Sequence, residues 1–137
     1  MQISRVKRDD HSDLSSASLG VLEFYKLPFL AKRVYWLSKF VTGVSRGNHA
    51  HKTLNQVMIM ISGQLELELS FGYEKTTILL NEKSDYILVP AGFWRVMRNA
   101  SMDAVLLVVA DSEYLEEDYI RNWNEYIKWH LGERLGR

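Results

Sequence analysis

Apolar and polar positions alternate through most of the chain, and the pattern predicts short β-strands. Within the β-favouring stretch Lys32–Val41, strand geometry sets Arg33, Tyr35 and Leu37 on one face and Val34 and Trp36 on the other. On composition alone, a face holding Arg beside Tyr reads as exposed or interfacial. Leu65-Glu66-Leu67-Glu68-Leu69 alternates strictly, which predicts a half-buried strand with both glutamates in water. Val57 to Ile61 is apolar nearly throughout and predicts an interior strand that ends at Ser62-Gly63. Residues 76–80, 85–89, 93–98 and 104–109 supply further strands, separated by turn-forming Asn81, Ser84, Ala91-Gly92 and Asn99-Ala100-Ser101. Near the amino terminus, Ile3 to Lys7 and Val21 to Tyr25 read as strands, and the Asp- and Ser-rich residues 9–18 read as a loop.

The period changes near the end of the chain. Over about 113–131, Tyr119, Ile120, Trp123, Tyr126, Ile127 and Leu131 recur at helical spacing, with Glu116, Glu117 and Asp118 placed to complement a helix dipole. Trp123 and Trp129 read as packing residues of that helix. Many short strands at close spacing, with no repeat or linker, predict one all-β domain over residues 1–137, a sandwich or barrel carrying a C-terminal α-helix.

Charge and composition exclude several classes. Seventeen basic and seventeen acidic side chains cancel, so nothing in the balance points to a nucleic-acid or membrane surface. The chain has no cysteine, which removes disulfide and thiolate chemistry. Its first residues lack the apolar core of a signal peptide and no apolar run reaches bilayer length, so a cytoplasmic location is expected.

Candidate chemistry concentrates between Gly43 and Gly63. His49 and His51 stand two apart in a β-favouring segment, so their imidazoles share one face and suit either metal ligation or proton transfer. The spacing of Gly43, His49, His51, position 56 and Gly63 resembles the first cupin motif, and Pro90, Gly92, Arg95 and Asn99 resemble the second. The expected fold is therefore a cupin jelly roll, a double-stranded β-helix, with the helix appended. Two metal positions are changed: Gln56 stands where the motif has Glu, and Arg95 where it has His. Gln is a weak neutral donor and Arg a fixed cation, so a transition metal is not expected.

Further residues carry a narrower resemblance. Pro28-Phe29, Lys32-Arg33-Val34-Tyr35, Arg46-Gly47-Asn48-His49-Ala50-His51-Lys52, Gln56, Trp94 and Asp118-Tyr119-Ile120-Arg121 together resemble the sugar 3,4-ketoisomerases, the metal-free WxcM-like cupins. The resemblance spans nearly the whole chain. It implies movement of the keto group of TDP-4-oxo-6-deoxyglucose from C4 to C3 with no cofactor, as a step toward a 3-amino-3,6-dideoxy sugar, and a homodimer with exchanged N-terminal strands. It implies His49 as the base at C3 with His51 assisting. Arg33 and Arg46 are implied for the pyrophosphate, while Tyr35, Gln56 and Trp94 are candidates for substrate contact beside an equal packing reading. Two departures stand out: Ser16-Ala17 replaces an Arg-Gly pair, and Trp94-Arg95-Val96 replaces Trp-His-Glu, which makes Arg95 a candidate substitute cation. The competing functions are a non-catalytic nucleotide-sugar-binding cupin, a metal-dependent enzyme and a nucleotide-sugar epimerase. The sequence displays no carboxylate paired with a histidine, as an epimerase would have.

Overall fold

A computed structural model describes residues 1–12 and 15–135. Its strands are β1 (Arg5–Val6), β2 (Asp9–Ser12), β3 (Ser18–Val21), β4 (Arg33–Leu37), β5 (Arg46–His51) and β6 (Gln56–Ser62). The chain continues through β7 (Gln64–Phe71), β8 (Glu74–Asn81), β9 (Tyr86–Val89), β10 (Trp94–Arg98), β11 (Val105–Ala110) and β12 (Tyr119–Ile120), then helix α1 (Trp123–Trp129). Two sheets face each other, one ordered β1-β9-β6-β11-β4 and the other β12-β5-β10-β7-β8, and β2 pairs with β3 in a separate hairpin. This is the jelly roll expected from the spacing of the motifs.

Strand alternation explains the layers. Between the sheets lie Met58 and Met60 of β6, Leu65, Leu67 and Leu69 of β7, Met97 of β10 and Leu106 and Val108 of β11. The run from Val57 is apolar without a break because β6 is covered twice: Met58 and Met60 point inward, while Val57 and Ile59 lie under Leu27, Leu22 and Phe29. The second sheet is covered by α1, whose Tyr126 and Ile127 pack on Ala50, Trp94, Val96 and Ile120. Glu66 and Glu68 face away from the core as expected, and Glu68 pairs with Lys75 and Arg98 on the neighbouring strands.

Three sequence expectations are corrected. Residues 9–18 are not all loop, since Asp9–Ser12 pairs with Ser18–Val21 in a separate two-stranded hairpin, on which Asp10, His11 and Leu19 are exposed. Residues 24–26 form a 3-10 turn where a strand was expected, so Val21 ends its strand. The C-terminal helix is much shorter than 113–131. Residues 116–118 form a 3-10 turn, Tyr119 and Ile120 pair with His51 and Ala50 of β5, and Asn122 caps α1 by accepting the Glu125 N–H at 3.0 Å. Beyond Trp129 the chain continues as a π-helical turn, His130–Leu135. Among the described residues no helix is long and apolar enough to cross a membrane.

Candidate active site

The two sheets are filled by apolar side chains at one end and diverge into a polar cavity at the other. It measures about 470 Å³ and is lined by Arg33, Tyr35 and Leu37 of β4, Arg46, Gly47, Asn48 and His49 of β5, Met58 of β6, and Arg95 and Met97 of β10, with Ser45, Tyr114, Tyr119 and Arg121 at its rim and wall. The inward face of β4 is thus the one bearing Arg33, Tyr35 and Leu37, opposite to the reading from composition. The outward face, with Val34 and with Trp36 64% exposed, is the one left uncovered.

Arg46 reaches this cavity through a bulge. Arg95 lies opposite His49, Val96 opposite Gly47 and Met97 opposite Arg46, so Asn48 has no partner across the ladder. Arg46 and His49 are three residues apart and would face opposite sides of a regular strand; the extra residue returns them to one side. Gly47 at φ +91° and Asn48 at φ +56° supply the backbone. A Cβ on Gly47 would meet the Arg95 carbonyl oxygen at 2.9 Å, so glycine is required twice over, by dihedral and by space.

His49 and His51 stand side by side, ring centroids 4.9 Å apart and nearly perpendicular. Each has Nδ1 against an acceptor: His49 at 3.0 Å from the Gly47 carbonyl oxygen and His51 at 3.0 Å from Asp118 Oδ2. Neither acceptor carries a proton to offer, so each imidazole donates from Nδ1 and keeps its lone pair on Nε2. His51 is 1% exposed, and its Nε2 is buried with no hydrogen-bond partner among the described residues. Burial, then the Arg95 guanidinium, lowers His49 to about 4; the same two causes also lower His51. Both rings are neutral at physiological pH and available as bases.

Opposite them runs a chain of polar contacts. Arg95 donates to Gln56 Oε1 and, through Nη2, to the Phe93 carbonyl at 3.1 Å; Gln56 Nε2 donates to the Tyr35 hydroxyl at 2.7 Å. Burial lowers Arg95 only to about 10, so it remains a cation, and burial raises Tyr35, so it remains a phenol. Ala110 sits in the ladder between Arg33 and Gln56, and its small side chain leaves the room that the two longer ones occupy. The Arg33 guanidinium lies 5.1 Å from the centre of the Tyr35 ring.

The mouth is basic and aromatic. Arg121 stacks on Tyr119 at 4.1 Å and pairs with Glu116 at 2.9 Å, while Tyr114 contacts both Tyr119 and Glu116. The described residues therefore bring together Arg33, Tyr35, Arg46, His49, His51, Gln56 and Arg95 as the sequence suggested. Trp94 is not among them. It is one residue from Arg95 and points to the opposite face of β10, where it packs against Trp123 and Tyr126. Ser16 and Ala17 lie in the exposed β2–β3 turn, outside this cavity.

Sequence reasoning missed Tyr119, Arg121 and Asp118 as site residues. Tyr119 and Arg121 are two apart, which on a strand sets them on one face, but the helical spacing of Tyr119 with later aromatics obscured that signal. Asp118 accepts from the Thr53 N–H and hydroxyl, both at 2.7 Å, from the Leu54 N–H at 3.3 Å and from His51. A carboxylate paired with a histidine, which the sequence did not display, is thus present on His51. The four cupin ligand positions remain unfavourable to a metal ion, since Gln56 is engaged at both ends and Arg95 puts a guanidinium where a cation would lie.

Comparison with known proteins identifies the family. The family model "FdtA: WxcM-like, C-terminal" matches residues 1–130. The chain is 34% identical over 116 residues, 84% of each protein, to the TDP-4-oxo-6-deoxy-alpha-D-glucose-3,4-oxoisomerase of Aneurinibacillus thermoaerophilus. It superposes on a 3,4-ketoisomerase from Helicobacter canadensis with a TM-score of 0.87 at 36% identity, covering 95% of this chain and 98% of that one. A mutant of the 3,4-ketoisomerase QdtA from Thermoanaerobacterium thermosaccharolyticum, solved in complex with TDP-4-keto-6-deoxyglucose, superposes with a TM-score of 0.89 at 34% identity, covering 97% and 96%. With a model match across nearly the whole chain and an oxoisomerase relative above 30% identity, the chain belongs to the WxcM-like family of sugar 3,4-ketoisomerases described by the FdtA model.

Proposed function

We propose that this protein converts TDP-4-oxo-6-deoxyglucose to its 3-oxo isomer without a metal, and that the product feeds formation of a 3-amino-3,6-dideoxy sugar. The observation that carries this reading is the pair of neutral imidazoles beside a buried guanidinium in one polar cavity. Family membership and the names of the relatives support the substrate.

The reaction needs two proton transfers and no net redox. His49 Nε2 takes the proton from C3, the C3–H electron pair forms the C3=C4 double bond, and the C4 carbonyl becomes an enediolate oxygen. The 3-hydroxyl proton passes to the C4 oxygen, C3 becomes the carbonyl, and the electron pair of the C3=C4 bond takes up at C4 the proton that was removed from C3, so that C4 ends as a hydroxyl-bearing carbon. Arg95, at the floor beside His49, meets the developing oxyanion, and Tyr35 adds a hydrogen bond. His51 moves the proton between the two positions. Arg33 and Arg46, with Arg121 at the mouth, hold the pyrophosphate through their planar donors. Gln56 orients Tyr35 and Arg95. The uncovered Val34 and Trp36 face of β4 and the exposed Leu19, Phe24, Tyr25 and Leu30 near the β2–β3 hairpin support a homodimer with exchanged N-terminal strands.

The test is incubation of the purified protein with TDP-4-oxo-6-deoxyglucose in deuterium oxide, followed by proton NMR, with His49→Asn as control. The expected result is a 3-oxo sugar with deuterium at the acceptor carbon, absent in the control. Unchanged sugar with nucleotide-dependent thermal stabilisation would instead identify a binding protein.

A further inference from the structure

Asp118 comes from the far end of the chain, yet every acceptor position it offers is directed at the segment that follows His51. Its Oδ1 receives the Thr53 N–H and hydroxyl, and its Oδ2 receives His51 Nδ1 and the Leu54 N–H. The β12–β5 pairing clamps the two elements together, with Tyr119 directly across from His51 and the Asp118 carbonyl accepting the Lys52 N–H at 2.9 Å. The carboxylate is 6% exposed and its hydrogen bonds hold it ionised. A fixed, charged acceptor on Nδ1 leaves His51 one tautomer. Its other nitrogen is buried beside His49, without a hydrogen-bond partner among the described residues.

The contrast with His49 sharpens the point. His49 has a neutral carbonyl behind it, and among the described residues no carboxylate is hydrogen-bonded to it. His51 has a carboxylate, so a proton arriving at its Nε2 creates an imidazolium that is paired from the moment it forms. Of the two rings, His51 is the one with a carboxylate against its Nδ1, which opposes the lowering that burial and Arg95 impose on it.

We propose that Asp118 is a positioning residue of the isomerisation: it fixes His51 as the Nδ1–H tautomer and neutralises the imidazolium that exists while the proton is in transit. This rests on the reading that the enzyme is a ketoisomerase using His51 as a proton carrier.

The test combines spectroscopy of the wild-type protein with two variants. Imidazole ¹⁵N NMR at neutral pH should show His51 of the wild type as the Nδ1–H tautomer. In Asp118→Asn the amide oxygen keeps the Thr53 contacts, while the amide nitrogen faces His51 Nδ1 as a donor and forces the opposite tautomer. The expected kinetic result is a kcat lower by on the order of 10²–10⁴-fold with KM within about threefold. Thr53→Ala separates structure from chemistry, because it loosens the turn but leaves Asp118 against His51: its melting temperature should fall while the His51 tautomer stays. A wild-type His51 with its proton on Nε2 overturns the proposal, even if Asp118→Asn fails to fold. So does a folded Asp118→Asn enzyme with kcat within about threefold of wild type. Wild-type turnover of TDP-4-oxo-6-deoxyglucose is measured alongside, so failure of the ketoisomerase reading is seen separately from failure of the Asp118 assignment.

Discussion

The Gln56 amide donates to the Tyr35 hydroxyl at 2.7 Å, and that direction is forced from the other end, because Arg95 has only donors and must face the amide oxygen. The phenol receives a hydrogen bond here, and its own proton remains to be offered into the cavity. Replacing Gln56 by Glu reverses this: the carboxylate accepts a hydrogen bond from the Tyr35 hydroxyl, which no longer points its proton into the cavity, and it pairs with Arg95. Gln56→Glu is therefore expected to lower kcat by about 100-fold while the cavity keeps its shape, the size of effect seen when one oxyanion donor is lost. Single-turnover kinetics check it, and an unchanged rate would show that neither donor meets the developing charge.

Arg95 is fully buried, and among the described residues it forms no ion pair with a carboxylate. Burying a cation without a counter-ion costs stability, and an apolar chain of similar length often fits such a place at no loss. Arg95→Met should change the folding free energy by less than about 2 kcal/mol in either direction, while kcat falls by on the order of 10²–10³-fold. Urea melts and steady-state rates on the same preparation separate the two. A loss of stability with retained kcat would make Arg95 a packing residue.

The histidines give a pH signature. His49 titrates at about 4 and His51 is lowered as well, chiefly because burial disfavours the charged ring. The acid limb of kcat/KM should therefore lie at about 4, far below the roughly 6.5 of a free imidazole. Stability follows the same groups. Below about pH 6.5 the unfolded chain takes up protons that the folded one refuses, so the histidine contribution is full above that pH and is lost as acidity increases toward the folded values. Urea midpoints should fall steadily from about pH 7 to 5, with a shallower slope in His49→Asn; a flat profile would contradict the buried neutral pair.

Gly47→Ala tests the bulge. Both the positive φ and the 2.9 Å approach to the Arg95 carbonyl oppose a side chain. The expected cost is about 1–3 kcal/mol, with KM raised more than kcat is lowered if the strand relaxes and turns Arg46 out of the cavity. Arg46→Ala on its own should reproduce the KM rise without the fall in melting temperature, which kinetics on both variants would reveal.

Trp94 makes the complementary case. Trp94→Ala removes the ring that packs on Trp123 and Tyr126 under α1, at an expected cost of about 3–5 kcal/mol. The folded fraction should bind substrate with KM within about twofold, since the ring faces away from the cavity. A large rise in KM at a temperature where the variant is folded would return Trp94 to the site.

How much the sequence revealed depends on the range of the interaction. The inner face of β7 follows from alternation, and His49 with His51 follows from spacing, because each is a relation between near neighbours. Trp94 was misplaced since motif membership does not say on which side of a strand a residue falls, although its adjacency to Arg95 did. The bulge left a local signal, Gly47-Asn48, two residues suited to positive φ. The cap at Asn122 with Glu125 three residues on was another, and it marks where α1 begins. Asp118 left only its place in the Asp118-Tyr119-Ile120-Arg121 run, which carried no role: it meets His51 across 67 positions of chain, and only the folded sheet brings them together.

The pairing of β12 with β5 also sets an order of events during synthesis. Both histidines, Arg95, Gln56 and Tyr35 are translated before the segment that carries Asp118, Tyr119 and Arg121, and the sandwich around Met58, Leu67 and Leu106 draws on strands already complete by then. A nascent chain can thus collapse into its core while the proton relay is still unfinished. Competence arrives only when the segment that carries Asp118, Tyr119 and Arg121 has followed, through a long-range contact whose closure is slow compared with the hairpins before it.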